Sequence, residues 1–182
     1  MANHVCPWWL GYLLASPLRR ILEKPENMLE PFVLQGMTVI DYGCGMGFFT
    51  TPLARLVGPT GKVIAVDIQE KMLNRLRVRA NKAGLSDRMM ILASGNSRQI
   101  KEDSVDFVAA LHVIHEIEDQ HAFFNDMRRV MKPGAKILML EPRFHVNEKE
   151  FRGSVEVAES SGLVLNSTFD SSRSLSVVLS KP

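Results

Sequence analysis

The sequence predicts an α/β fold: a seven-stranded, mostly parallel sheet with helices on both faces, a last strand running antiparallel, and an N-terminal helical cap. Three observations predict it. From Thr38 onward, short apolar runs alternate with amphipathic stretches, the pattern of βαβ units around a parallel sheet. The first apolar run, Val39-Ile40-Asp41-Tyr42, leads into glycines at 43, 45 and 47, a turn that opens a helix. The last two candidate strands are joined by the polar turn Asp170-Ser171-Ser172-Arg173, and so short a connection joins antiparallel strands.

The elements follow in order. Residues 1–35 form a cap without strand periodicity, and residues 36–182 form the main domain. In the cap, Leu10, Leu13, Leu14, Leu18, Ile21 and Leu22 fit a helical stripe interrupted by Pro17. A second short helix follows Pro25 and buries Met28, Leu29, Phe32 and Val33. Strands are expected at 38–42, 63–67, 89–93, 105–111, 136–141, 163–169 and 174–180. Between them, Met72, Leu73, Leu76, Ala80 and Ala83 recur at helical spacing and stop at Gly84. Phe124, Met127, Val130 and Met131 do so before Pro133-Gly134, and Phe151, Val155 and Ala158 before Gly162.

At 182 residues, 46% hydrophobic and 23% charged, the chain has the composition of a globular protein with a sizeable core. A net charge of +2 is too small to argue for nucleic acid. Cys6 and Cys44 form no disulfide framework, which suits a reducing cytoplasm. The run from Val5 to Leu18 falls short of the roughly 20 apolar residues that span a bilayer.

The glycine turn carries most of the functional signal. An acid, Asp67, ends the next apolar run, 20 residues after Gly47. A glycine turn with an acid at that distance describes a pocket for a ribose-bearing cofactor. The dinucleotide fingerprint is G-x-G-x-x-G, whereas this turn reads G-x-G-x-G with Phe48 in place of the last glycine. Asp41, two residues before the first glycine, disfavours a diphosphate and suits an ammonium group. S-adenosylmethionine (SAM) carries such an ammonium. An ordinary tight turn, with Asp67 capping the helix that starts near Gln69, is the plain alternative.

The run Asp41-Tyr42-Gly43-Cys44-Gly45-Met46-Gly47 resembles the first motif of class I SAM-dependent methyltransferases. Asp67 matches their ribose-binding acid, 103–116 is similar to their fourth-strand motif, and Val130-Met131-Lys132-Pro133-Gly134 resembles the turn before their fifth strand. The resemblance runs from about residue 36 to the C-terminus. It is nearest to the small-molecule methyltransferases that include the ubiquinone/menaquinone and arsenite enzymes. It implies a Rossmann-like sheet, SAM as methyl donor, S-adenosylhomocysteine as product and a small-molecule acceptor. Scarcity of cysteine argues against arsenite.

The cofactor contacts that the resemblance implies are Asp41, Tyr42, Gly43, Cys44, Gly45, Gly47 and Phe48 in the turn, then Asp67. Ile68 and Met72 either wall the adenine or belong to the core. Gly95, Asn96 and Ser97 stand where an adenine-binding pair is more usually Asp-Ala, and a plain turn explains them equally. Leu111 and His112 close the set. His112, His115 and Glu116 are the candidates for proton removal from the acceptor, with Glu116 expected one turn from His112 on one helical face. Satisfying backbone groups at a helix start is the bland alternative. Glu141, Arg143 and His145 either line the acceptor pocket or are exposed loop residues, the latter slightly favoured.

No third ligand at a recognisable spacing joins His4 and Cys6, so no metal is expected. Trp8, Trp9 and Tyr12 suit packing, a lid or peripheral contact with a membrane. Arg75, Arg77, Arg79 and Lys82 read as a solvated helix face rather than an RNA surface. A homodimer is compatible with the sequence. The rival readings are a non-catalytic SAM-binding regulatory subunit, an RNA methyltransferase and a nicotinamide oxidoreductase.

Overall fold

The computed structural model describes residues 24–168 and 173–182. The stripe from Leu10 to Leu22, the His4 and Cys6 pair, Trp8, Trp9, Tyr12 and most of the turn at 170–173 lie outside those residues. Seven strands form the mixed sheet that the sequence predicts. The chain divides into two compact units meeting at Gln99 and Ile100.

The first unit begins with a short helix α1 (Pro25–Leu29), then β1 (Thr38–Tyr42), α2 (Thr50–Leu56), β2 (Lys62–Asp67), α3 (Glu70–Lys82) and β3 (Met89–Ala93). Its strands lie in the order β3-β2-β1 and are all parallel, Val39 opposite Val63 and Val63 opposite Met89. Both β1 and β2 are buried along most of their length with little alternation, as strands covered on two faces are. Met72, Leu73, Leu76 and Ala80 of α3 are buried, as their spacing predicts. Ala83 is instead exposed at the C-cap, because Gly84 turns left-handed at φ +64° and ends the helix there. In α1, Leu29 is buried, while Met28 is only half-buried, as is Phe32 just beyond it.

The second unit runs β4 (Val105–Leu111), α4 (Gln120–Val130), β5 (Met131–Pro142), α5 (Glu148–Ser160), β6 (Val164–Thr168) and β7 (Ser174–Ser180). The order is β4-β5-β7-β6, with β4 and β5 parallel and β7 antiparallel to both its neighbours. The expected break in the parallel pattern is therefore present. Asn147 caps α5 and exchanges hydrogen bonds with Glu150, a complete capping box.

Two expectations are corrected here. Met131 is not in the preceding helix but opens β5, and the Pro133-Gly134 turn lies inside the strand as a wide bulge. Val105 pairs with Met131 and Phe107 with Lys136, so several extra residues loop out, with Gly134 left-handed at φ +78°.

Gly61 shows how tightly α2 returns to β2. A Cβ there would meet the Val57 Cβ at 2.5 Å and the Met37 carbonyl oxygen at 2.7 Å. Gly61→Ala is expected to cost about 1–3 kcal/mol in urea unfolding; an unchanged midpoint would show that this turn relaxes freely.

Candidate functional site

The glycine turn in the first unit is folded by its own backbone. Gly43, Gly45 and Gly47 all have positive φ, at 73°, 52° and 87°. The amides of Gly43 and Cys44 both donate to the Val66 carbonyl, at 2.8 and 3.0 Å, and Gly47 N donates to the Cys44 carbonyl at 2.9 Å. Gly45 N donates to Asp67 Oδ2 at 2.8 Å. These four donors are engaged within the protein, the reverse of a loop that offers its amides to a pyrophosphate. That geometry speaks against the nicotinamide reading.

Asp67 ends β2 and joins three segments. Its Oδ2 takes the Gly45 amide, its Oδ1 takes the Gln69 amide at 2.8 Å, and its carbonyl takes the Ser94 amide at 2.9 Å. The capping role and the ligand role are thus compatible: a carboxylate has about four acceptor positions, the Gly45 and Gln69 amides take two, and the Ile68 amide also acts on the group. Burial raises its pKa, opposed by the amides of Gln69, Gly45 and Ile68. Space lies beside it, since a Cβ on Gly45 would meet nothing within 4 Å, whereas one on Gly47 would strike Leu76 Cδ1 at 2.5 Å.

Asp41, at 2% exposure, lies on β1 with Thr50 Oγ1 donating to its Oδ2. Desolvation pushes its pKa from 3.8 to about 7, the Thr50 hydrogen bond acting against the rise and the charge of Asp67 adding to it. The Cys44 side chain packs with Ala65, Leu73 and Leu76, and burial drives its thiol well above the usual range. Cys44 therefore contributes backbone, not a side chain, to the turn. Tyr42 Oη stands 3.3 Å from Ser94 Oγ, and Phe48 meets Phe49 edge to face.

The two possible adenine walls separate. Ile68 is 68% exposed, while Met72 is buried with the core face of α3. Gly95 is left-handed at φ +92°, Asn96 N donates to the Ala93 carbonyl, and a single 3-10 turn starts at Ser97. Asn96 is exposed and Ser97 half-buried. On the exposed face of α3, Arg77 pairs with Glu70, but Arg79 donates to the Met46 carbonyl at 2.9 Å and so braces the glycine turn.

Leu111 and His112 lie in the second unit, at the end of β4. His112 has φ +61°, and its amide donates to the Leu140 carbonyl at 2.7 Å. Ile114–Glu116 is a 3-10 turn, not an α-helix, so the expected shared face of His112 and Glu116 does not form. The larger correction concerns Glu141. It lies in β5, as the expected strand 136–141 has it, but it is 1% exposed and not an exposed residue, with His115 Nδ1 at 2.7 Å from Oε2 and the Ile114 amide donating to Oε1 at 2.6 Å. His145 stacks on the His115 ring, centroids 5.7 Å apart, and Phe144 stands exposed beside it. The Glu141 hydrogen bond raises the pKa of His115 against the opposing effect of burial. Its sequence signal was an acid closing the apolar run Ile137-Leu138-Met139-Leu140.

The family model described as methyltransferase domain matches residues 34–170. The chain belongs to the methyltransferase domain family. The chain is 31% identical over 120 residues to the demethylmenaquinone methyltransferase of Oceanobacillus iheyensis, covering 65% of the chain and 50% of that protein. It is 32% identical over 110 residues to the ubiquinone/menaquinone biosynthesis C-methyltransferase UbiE of Escherichia coli O1:K1, covering 60% of the chain and 44% of that protein. The chain thus spans about half the length of these curated relatives. Its structure is similar to that of a SAM-dependent methyltransferase from Aquifex aeolicus, with a TM-score of 0.87 at 26% identity over 98% of this chain and all of the other. The seven-stranded, Rossmann-like fold is that of the SAM-dependent methyltransferases.

The residues present fit SAM. The open side of Gly45 leaves room for a ligand, Asp67 retains acceptor positions for vicinal hydroxyls, and Asp41 offers a carboxylate for an ammonium. Among the described residues no group of three metal-ligating side chains forms, and no helix is long and apolar enough to cross a membrane.

Burial of Asp41 has a measurable cost. Its folded-state value of about 7 lies above the ordinary 3.8, so the folded protein holds a proton that the unfolded chain releases. Stability therefore falls as pH rises from about 4 to about 7 and levels off above that window. Asp41→Asn is expected to flatten this decline in denaturation series across pH 4–8; an unchanged slope would assign it to another group.

Proposed function

We propose that the chain transfers a methyl group from SAM to a small-molecule acceptor and releases S-adenosylhomocysteine. The observation that carries the reading is Asp67, a carboxylate clamped beside the open face of Gly45 with acceptor positions to spare. When bound, SAM supplies a methyl carbon whose bond to sulfur breaks as its bond to the acceptor forms, the electron pair staying on sulfur.

The chain's own residues hold and orient. Asp67 accepts from the ribose hydroxyls, and Asp41 offsets the ammonium charge. Gly43, Cys44, Gly45 and Gly47 shape the turn through their backbone, flanked by Tyr42 and Phe48. Ile68, Gly95, Asn96 and Ser97 border the adenine, with Met72 supporting Ile68 from the core side of α3. Among His112, His115 and Glu116, His115 is the proton acceptor, because a buried carboxylate fixes its ring. Residues 36–182 form the methyl-transfer domain. We place the reaction in the cytoplasm, where the buried free thiol of Cys44 is at home. The named relatives point to a ring-bearing acceptor of the quinone type.

Calorimetric titration with S-adenosylhomocysteine, beside NADH and with Asp67→Ala, tests the reading. Binding of the first ligand alone is expected, weakened about 10–100-fold in the variant as charge-assisted hydrogen bonds are lost. Preference for NADH, or indifference to the substitution, would refute it.

A further inference from the structure

The cluster around Glu141 has a geometry that cofactor binding does not require. Oε1 is pinned by two backbone donors, Ile114 N at 2.6 Å and His115 N at 3.4 Å. Oε2 is thereby aimed at the His115 ring, 2.7 Å from Nδ1. The ring's other nitrogen, Nε2, lies 4.0 Å from Glu116 Oε1, beyond hydrogen-bonding range, and the side chain is 26% exposed.

We propose that Glu141 is a positioning residue that holds His115 as the Nδ1–H tautomer, so that Nε2 is the atom that takes a proton from the methyl acceptor. The inference rests on the methyl-transfer reading above and narrows its substrate class. An acceptor served by such a base loses a proton as it is methylated: a hydroxyl, an N–H or an acidified C–H, rather than a group that arrives already ionised. The proton passes from the acceptor atom to Nε2, Glu141 remains a carboxylate beside the resulting imidazolium, and the exposed edge of the ring returns the proton to solvent.

The groups that face His115 are few. Glu141 approaches from β5, Glu116 from the same 3-10 turn and His145 from the segment after β5, its ring parallel to that of His115. Gln120, at the start of α4, donates to the Ile114 carbonyl and fixes the turn that carries the imidazole. Among the described residues only Glu141 bonds the ring, and it is the one that selects the tautomer.

Glu141→Gln probes that selection. The Ile114 and His115 amides need an acceptor, so they retain the single carbonyl oxygen of glutamine. Its NH2 group is then turned toward Nδ1. An NH2 facing Nδ1 requires a lone pair there and forces the proton onto Nε2.

The experiment is 15N NMR of the His115 side chain across pH in wild type, Glu141→Gln and Glu141→Asp. S-adenosylhomocysteine affinity and the pH profile of methyl transfer are measured on the same samples. Neutral His115 is expected as Nδ1–H in wild type and Nε2–H in Glu141→Gln, with a lower titration midpoint in the latter because its raising partner is gone. Methyl transfer is expected to fall about 10²–10⁴-fold, with cofactor affinity unchanged. Glu141→Asp, which keeps the carboxylate, is expected to retain the wild-type tautomer and part of the rate, and it carries the test if the glutamine variant fails to fold. Nε2–H in the wild type, or an unchanged tautomer in Glu141→Gln, would overturn the proposal. Wild type that neither binds S-adenosylhomocysteine nor transfers methyl groups would overturn the methyl-transfer reading instead, whatever the tautomer.

Discussion

The carboxylate of Asp67 and the carbonyl beside it join the glycine turn after β1, the start of α3 and the end of β3, through hydrogen bonds of 2.8, 2.8 and 2.9 Å. Three loops at one end of three parallel strands are thereby set against one residue. The left-handed glycines make this possible, because the amide of Gly45 reaches Oδ2 only if the chain turns where a side chain would resist. Leu76, filling the space against Gly47, fixes the same turn from the helix side. A ligand at Asp67 therefore meets a preformed acceptor and has no loop to order, which limits the entropic cost of binding.

Burial is used differently in the two units. Asp41 is buried with one hydroxyl donor and has its pKa raised to about 7, so its charge is maintained only at a cost that a cationic partner would offset. Glu141 is buried just as deeply but receives two amides and an imidazole nitrogen, so its position is fully specified. The first arrangement suits recognition of an ammonium, and the second suits control of a neighbouring ring.

Much of this was legible in the sequence because it rests on local rules. The apolar runs that became β1, β2, β3, β4 and β7 needed only their composition and boundaries. Gly84 and Gly162 ended helices for the same local reason. Asp67 was legible from its distance to the glycine turn. The bulge in β5 was not, since it depends on how Met131 and Lys136 register with partners 26 and 29 positions earlier, Val105 and Phe107. The apolar run before Glu141 places it at the end of a strand but says nothing of its burial. Its burial depends on donors at Ile114 and His115, and no pattern in its own neighbourhood announces them. Arg79 likewise looked like part of a solvated face until the Met46 carbonyl stood beside it.

The central claim is that the loops joined by Asp67 hold SAM. It is tested most directly by following backbone amide resonances during titration with S-adenosylhomocysteine. The account predicts saturable shifts concentrated at residues 41–48, at Asp67 and Ile68, and at residues 94–97. Shifts confined to other surfaces, or none at saturating ligand, would contradict it.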